Sequence, residues 1–149
     1  MSPSMKRFKR PESVLVVVCT RTGKVLLLRR VDDASFWQSV TGSLTWEETE
    51  PRQAAVRELR EETGLAANGL RELGMVNRYP ILPHWRPRFA PDVTQNTEHV
   101  FALELPAETP ITLNSAEHAE YGWYSFDQAA AQATSWTNRE AILKLAGSA

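Results

Sequence analysis

"AAVRELREETGL", residues 54–65, sets Glu58, Glu61 and Glu62 within five positions, with Arg57 and Arg60 interleaved and Gly64 closing the run. At 3.6 residues per turn Ala55, Val56 and Leu59 face a core, and the three glutamates occupy the adjoining side. Thr49 and Pro51 have the chemistry of a helix start, and Gly64 is placed to end the helix in a left-handed conformation. Glu58 and Glu62 then stand one turn apart, about 6 Å along the axis. Like charges at this spacing destabilise an isolated helix by a few tenths of a kcal/mol per pair, roughly, and none sits in the first turn where the helix dipole would favour it. Two arrangements relieve the repulsion. One is a solvated face on which Arg57 pairs with Glu61 at i, i+4, the commoner outcome for a helix taken alone. The other is a hard-cation site, because carboxylate oxygens suit Mg²⁺ or Mn²⁺.

Outward from this helix the chain reads as a mixture of strands and helices. "SVLVVVCT" (13–20) and "KVLLLRR" (24–30) are β-branched and aliphatic runs joined by a turn at Gly23, and "FWQSVTGS" (36–43) is a third strand leading into the helix. Beyond it, "LRELGMVNRY" (70–79), "EHVFALEL" (98–105) and "EYGWYSF" (120–126) read as strands. "DQAAAQA" and "TNREAILKLAG" read as closing helices, the second with a Thr137–Glu140 capping pattern. Between 79 and 96 lies a long loop rich in proline, aromatics and arginine, a length more often functional than filler. Strands and helices do not alternate regularly, so the fold class is α+β, a mixed sheet with helices outside it.

Length and composition bound the setting. The 149 residues, 42% hydrophobic, suffice for one packed domain, taken as 1–149. A net charge of −1 offers no general attraction for nucleic acid or anionic lipid, so neither is expected as a partner and recognition is local, of a small molecule. Cys19 is the only cysteine, which excludes an internal disulfide and a cysteine-rich zinc site and fits a reducing compartment, simplest the cytoplasm. The basic start "MSPSMKRFKRPES" lacks a signal-peptide core, and the apolar run Val14–Cys19 is too short to span a bilayer.

The helix and the strand before it together resemble the Nudix box: Gly, five residues, Glu, seven residues, Arg-Glu, an aliphatic, any residue, Glu-Glu, any residue, Gly, an aliphatic. Gly42 begins it, Glu48 follows after five residues, and "RELREETGL" (57–65) matches the second half throughout. The box spans about 42–65 and departs once: eight residues, not seven, separate Glu48 from Arg57. The turn "WEETEP" is where an added residue is absorbed. The resemblance implies an α/β/α sandwich around a mixed sheet and hydrolysis of a diphosphate linked to another group. It implies Mg²⁺, with Mn²⁺ as a substitute, on Glu58, Glu62 and the carbonyl of Gly42, with Glu61 in support and Arg57 orienting a glutamate by ion pairing. A further carboxylate arrives from a distant loop in such enzymes. Glu98, Glu117 and Glu120 are the candidates, and the position of Glu117 in "NSAEHAE" favours it. His99 and His118 rank lower, since a lone histidine is more often structural.

The flanks, "FKRPESVLVVV", "RPRFAPDVTQNTEHVFAL" and "SWTNREAI" among them, resemble the Nudix branch that splits dihydroneopterin triphosphate in bacterial folate synthesis, from Lys9 to about Ile142. That likeness implies substrate contacts at Lys9, Arg30, Thr41, the loop Tyr79, Pro80, Ile81 and Leu82, and Ser135. Lys9 and Arg30 are cations available to a triphosphate, and an aromatic loop offers a face to a flat ring. Arg86 and Arg88 are secondary candidates. Trp37, Trp85, Trp123 and Trp136 are assigned to core or interface and left outside the site. The alternatives within the family are a nucleoside triphosphate, oxidised or not, and a non-catalytic nucleotide sensor. Sensors typically lose box glutamates, and none of the helical ones is lost here.

Overall fold

The structure, a computed structural model, describes residues 7–148. Residues 1–6, at the basic start, and residue 149 lie outside it. The elements run β1 (Glu12–Thr20), β2 (Lys24–Arg30), β3 (Trp37–Gln38), β4 (Val40–Ser43), α1 (Pro51–Thr63), β5 (Arg71–Pro80), β6 (Gln95–Leu105), β7 (His118–Ser125), α2 (Phe126–Gln132) and α3 (Trp136–Ser148).

β1 and β2 leave a tight turn in which Gly23 takes a φ of 89°, a left-handed value that only glycine adopts cheaply. They are in antiparallel register at Cys19↔Val25 and then diverge. β1 runs parallel to β6 along its whole length, β6 carries β5 antiparallel on its far side, and β2 carries β7. The stretch read as one strand over 36–43 is two. Trp37 and Gln38 pair with β2, Val40 to Ser43 pair with β1, and the break falls at Ser39. Tertiary contact explains the break: the Ser39 N–H donates to Asn138 Oδ1 at 2.8 Å, and Asn138 Nδ2 donates to Ser39 Oγ at 2.9 Å, tying that residue to α3. Each arm of the fork between β1 and β2 thus gains its own partner strand. The result is a mixed sheet of seven strands.

Helices cover both faces. β1 is buried on both sides: Val14, Val16 and Val18 pack with Ala54, Ala55 and Leu59 of α1, while Leu15 and Val17 pack with Ala129, Ala141 and Ile142 of α2 and α3. Full burial of Leu59 contributes roughly 2–3 kcal/mol. α1 begins from Glu50, not Thr49, in a capping box with Gln53, and ends at Gly64 with φ 77°. Its inner face is rotated from the expected one: Ala54 is buried, Val56 is 39% exposed, and Glu62 is among the core-facing residues. β5 is shifted one residue toward the C-terminus and β6 begins three residues earlier than expected, so the connection between them shrinks to 81–94. It contains a 3-10 turn at Arg86–Arg88 and is cinched where the Ile81 N–H meets the Thr94 carbonyl at 2.9 Å. α3 starts before Thr137. Its cap is Ser135, whose Oγ accepts from the Asn138 N–H at 3.2 Å. Among the described residues no helix is long and apolar enough to cross a membrane.

Candidate active site

The fork between β1 and β2 opens into a cavity of about 1180 Å³. Lys9, Arg30, Thr41 and Gly42 line it, with Glu58 and Glu62 from α1, Tyr79 to Leu82 from the end of β5, and Glu117 and Ser135 from the far end of the chain. Segments remote in sequence meet here because β4, α1 and the approaches to β7 and α3 all converge on the fork. Arg57 and Glu61 do not line the cavity.

Glu62 sits at its acidic end. The side chain is 1% exposed and neither carboxylate oxygen makes a well-formed hydrogen bond. Burial pushes its carboxyl well above the ordinary range, and the neighbouring Glu58 and Glu117 push it further. Glu58 lies against the backbone of Gly42: a Cβ there would stand 2.2 Å from Glu58 Cδ, so the bare backbone is what gives this carboxylate its place. Glu117, exposed, and buried His118 form with Glu62 a group in which one ligand atom of each lies within 4.8 Å of the others, and Glu58, expected among the donors, is not one of its members. The Glu117 carbonyl accepts from the Val31 N–H at 2.9 Å, which ties the residue to the end of β2. Glu120 instead pairs with Arg29 at 2.6 Å, and Glu98 lines another part of the cavity.

His118, ranked low from the sequence, is thus brought to the cluster. Its Nε2 lies 3.2 Å from Gln38 Nε2 and 3.9 Å from Glu62 Oε1. Burial, with the charge of Arg30, holds its pKa down to about 4, so the ring is neutral at pH 7 and keeps a lone pair. The sequence signal available was its adjacency to Glu117, and only the start of β7 at His118 turns the ring inward.

Arg57 organises the acidic end from outside. It donates through Nε and Nη2 to both oxygens of Glu48 at 3.1 and 3.0 Å, through Nη2 to the Ser43 carbonyl at 2.9 Å, and through Nη1 to Glu58. Glu61, half-exposed, receives only a 3.4 Å contact. Burial alone would raise the Glu48 carboxyl, but Arg57 and the Thr45 N–H overcome it and hold it low. The additional residue between Glu48 and Arg57 is therefore taken up ahead of α1 without breaking their pair. Arg57→Lys replaces this planar fork with a point charge. On the expectation that Glu58 holds a divalent ion, activity falls by about 10–100-fold in the variant, and a Mg²⁺ titration checks this, the half-saturating concentration rising.

The cations line the same cavity, and Arg30 pairs in register with His118. Arg30 is held by Asp32 through paired bonds of 2.7 and 2.6 Å, and its guanidinium lies 5.5 Å from the Trp85 ring centre and 5.7 Å from that of Phe36. Desolvation and then the charge of Arg88 hold the Lys9 amine below its ordinary value. Arg88 lines the cavity and Arg86 does not. Two of the tryptophans left outside the site belong to it: Trp85 and the 51% exposed Trp136 both line the wall. Trp37 and Trp123 pack on the two cores as expected. Thr41 already donates its hydroxyl to the Val14 carbonyl at 2.9 Å, so toward the cavity it offers an acceptor.

Comparison with known proteins bears on the arrangement. The NUDIX domain profile matches residues 9–145. The chain is 45% identical over 143 residues to the dihydroneopterin triphosphate diphosphatase of Escherichia coli K12, with 92% of this chain and 93% of that protein covered. It is 39% identical to the enzyme of the same name from Haemophilus influenzae, with 94% and 90% covered. Its structure superposes on that of the E. coli dihydroneopterin triphosphate pyrophosphohydrolase with a TM-score of 0.88 and 43% identity, covering 97% of this chain and all of the other.

Proposed function

This chain belongs to the NUDIX family, and from that premise we propose that it hydrolyses dihydroneopterin triphosphate, releasing pyrophosphate and leaving dihydroneopterin monophosphate. The fold, an α+β mixed sheet between helices, is that of the family. The observation that carries the reading is Glu62: a buried carboxylate with no well-formed hydrogen bond on either oxygen, relieved only by the nearby Thr41 N–H, in a cavity that also presents Lys9, Arg30 and Arg88. Such a group is costly unless a cation satisfies it.

The donor set fits a divalent ion. Glu62 and Glu117, which with His118 lie within reach of one ion, would together with Glu58 and the Gly42 carbonyl hold Mg²⁺ or Mn²⁺, hard cations that prefer oxygen. When bound, the ion neutralises phosphate charge and lowers the pKa of water. The chain's own residues do the rest. Lys9, Arg30 and Arg88 bind the triphosphate, and Asp32 keeps the Arg30 guanidinium aimed and charged. Arg57 fixes Glu58 on Gly42. His118, neutral, leaves the charge of the cluster uncompensated, which favours cation entry. Glu117, the exposed member, is the carboxylate we assign either to hold the ion or to accept the proton of the attacking water. Tyr79, Pro80, Ile81 and Leu82, with Trp85, form the wall against which the ring lies. A cytoplasmic setting accords with Cys19, buried and free.

The test is a substrate panel with the purified protein in Mg²⁺, in which pyrophosphate released from dihydroneopterin triphosphate is compared with that from the common nucleoside triphosphates at equal concentration. The pterin compound is expected to turn over fastest, and chelator to abolish release. Equal rates across the panel would remove the pterin assignment, and undiminished release in chelator would remove the metal.

A further inference from the structure

One wall of the cavity carries two acceptors, Asn96 Oδ1 and Glu98 Oε1, that make no well-formed hydrogen bond, the Glu98 carboxyl being relieved only by the nearby Thr137, Tyr79 and Asn77 side chains. Side chains alternate along β6, and Asn96, Glu98 and Val100 are buried where Thr97 and His99 are only half-buried. Asn96 and Glu98 both line the cavity, at 6% and 4% exposure. Their hydrogen bonds have one direction. Asn96 Nδ2 donates to Ser13 Oγ at 2.8 Å and to the Tyr79 oxygen at 3.0 Å, and the Tyr79 hydroxyl donates to Glu98 Oε2 at 3.3 Å. This relay uses the donors and leaves Asn96 Oδ1 and Glu98 Oε1 without a well-formed hydrogen bond. Buried polar atoms are nearly always paired, so two orphan acceptors on one wall point to a ligand that brings donors.

The triphosphate is not that ligand, because a carboxylate repels it. Glu98 is also electrically apart from the cluster around Glu62. Its carboxyl is raised by burial and partly relieved by the nearby Thr137, Tyr79 and Asn77 side chains, with no charged group of the cavity contributing. Burial and the charge of Glu98 push the Tyr79 phenol up to about 12, so it remains a donor across the physiological range.

We propose that Glu98, oriented by Tyr79 and flanked by Asn96, selects the ring of the substrate: Glu98 Oε1 and Asn96 Oδ1 accept from the edge at which a ring N–H adjoins an exocyclic amino group, as in a 2-amino-4-oxo pteridine. The inference rests on the substrate reading above and assigns its specificity. A 2-oxo ring presents an acceptor at the same place and is disfavoured, since an acceptor facing an acceptor leaves both unpaired.

Two measurements test it. First, the unaltered protein is titrated with 7,8-dihydroneopterin and with its 2-oxo analogue by fluorescence, and the 2-amino ring is expected to bind at least about tenfold more tightly, the yield of one hydrogen bond to a charged group. Second, Glu98→Gln is expected to raise KM for dihydroneopterin triphosphate by about 10–100-fold on the same basis, with a smaller change in kcat, and to lose the discrimination between the two rings. Inorganic tripolyphosphate, which has no ring, is expected to inhibit parent and variant alike. Equal binding of the two rings by the parent overturns the inference without recourse to any variant, and so does an unchanged KM in Glu98→Gln. If the parent hydrolyses the pterin substrate but fails these tests, the role of Glu98 alone falls. If the parent does not hydrolyse it at all, the substrate reading falls and takes this inference with it.

Discussion

Glu62→Gln is expected to lower kcat/KM by about three orders of magnitude, the equivalent of several kcal/mol of transition-state stabilisation through a metal site, while leaving the metal-free protein no less stable than its parent. The second half of this result is the diagnostic one. Glu62 is 1% exposed, makes no well-formed hydrogen bond on either oxygen, and is flanked by Glu58 and Glu117. Replacing it with an isosteric amide removes an unpaired buried charge and supplies an N–H₂ that can donate to a neighbouring carboxylate. A gain of about 1–2 kcal/mol in urea unfolding without metal is the expected magnitude. The pH dependence has a definite sign. Because the folded pKa of Glu62 is raised above the unfolded value, its contribution is fully present below the unfolded pKa and is lost as pH rises through the folded one. Metal-free parent protein is therefore expected to lose stability across that window, and Glu62→Gln to lack this part of the slope. A variant that is both inactive and strongly destabilised would show that Glu62 serves the fold, and an active one would remove it from the site.

Gly42→Ala carries the second large effect, again with activity and stability separated. The φ of Gly42 is not positive, so the backbone tolerates alanine, and the substitution would ordinarily stabilise a strand by a few tenths of a kcal/mol to about 1 kcal/mol. What it meets is Glu58: the added methyl would stand 2.2 Å from Cδ, 2.4 Å from Oε1 and 2.7 Å from Cγ. These atoms are the far end of a flexible side chain, so Glu58 can swing away at small cost to folding. Doing so removes its carboxylate from beside Glu62 and strips Arg57 of one partner. A loss of about 100-fold in kcat/KM is expected, in line with misplacement of a catalytic group by about 1 Å, with unfolding free energy within about 1 kcal/mol of the parent. Wild-type activity in Gly42→Ala would mean that the position of Glu58 does not matter to the chemistry.

Much of the site was legible because it is local. The one-turn spacing of Glu58 and Glu62, the reach of Arg57 to Glu61 and the left-handed end at Gly64 all follow from helix geometry, and each is where that geometry puts it. The strands were legible from apolar runs, but their ends were not. β5 and β6 extend beyond those runs, through Pro80 and back to Gln95, because each supplies the other's hydrogen bonds there. The break at Ser39 was invisible since its cause, Asn138, lies at the far end of the chain. Trp85 and Trp136 were placed outside the site on general burial trends, which do not register that a cavity opens beneath them.

The sequence by itself determined which residue types lie one turn apart, where the helix stops, and the kinship that the whole-chain likeness bears out. Those are properties of short spacings and of pattern. Tertiary structure alone decided that Glu62 is buried without a well-formed hydrogen bond, that Glu117 and His118 come to meet it, and that Glu98 and Asn96 face the same cavity with acceptors unpaired. The physical reason is that burial and convergence depend on how far two strands diverge and what fills the gap. That depends on contacts between segments the chain keeps far apart.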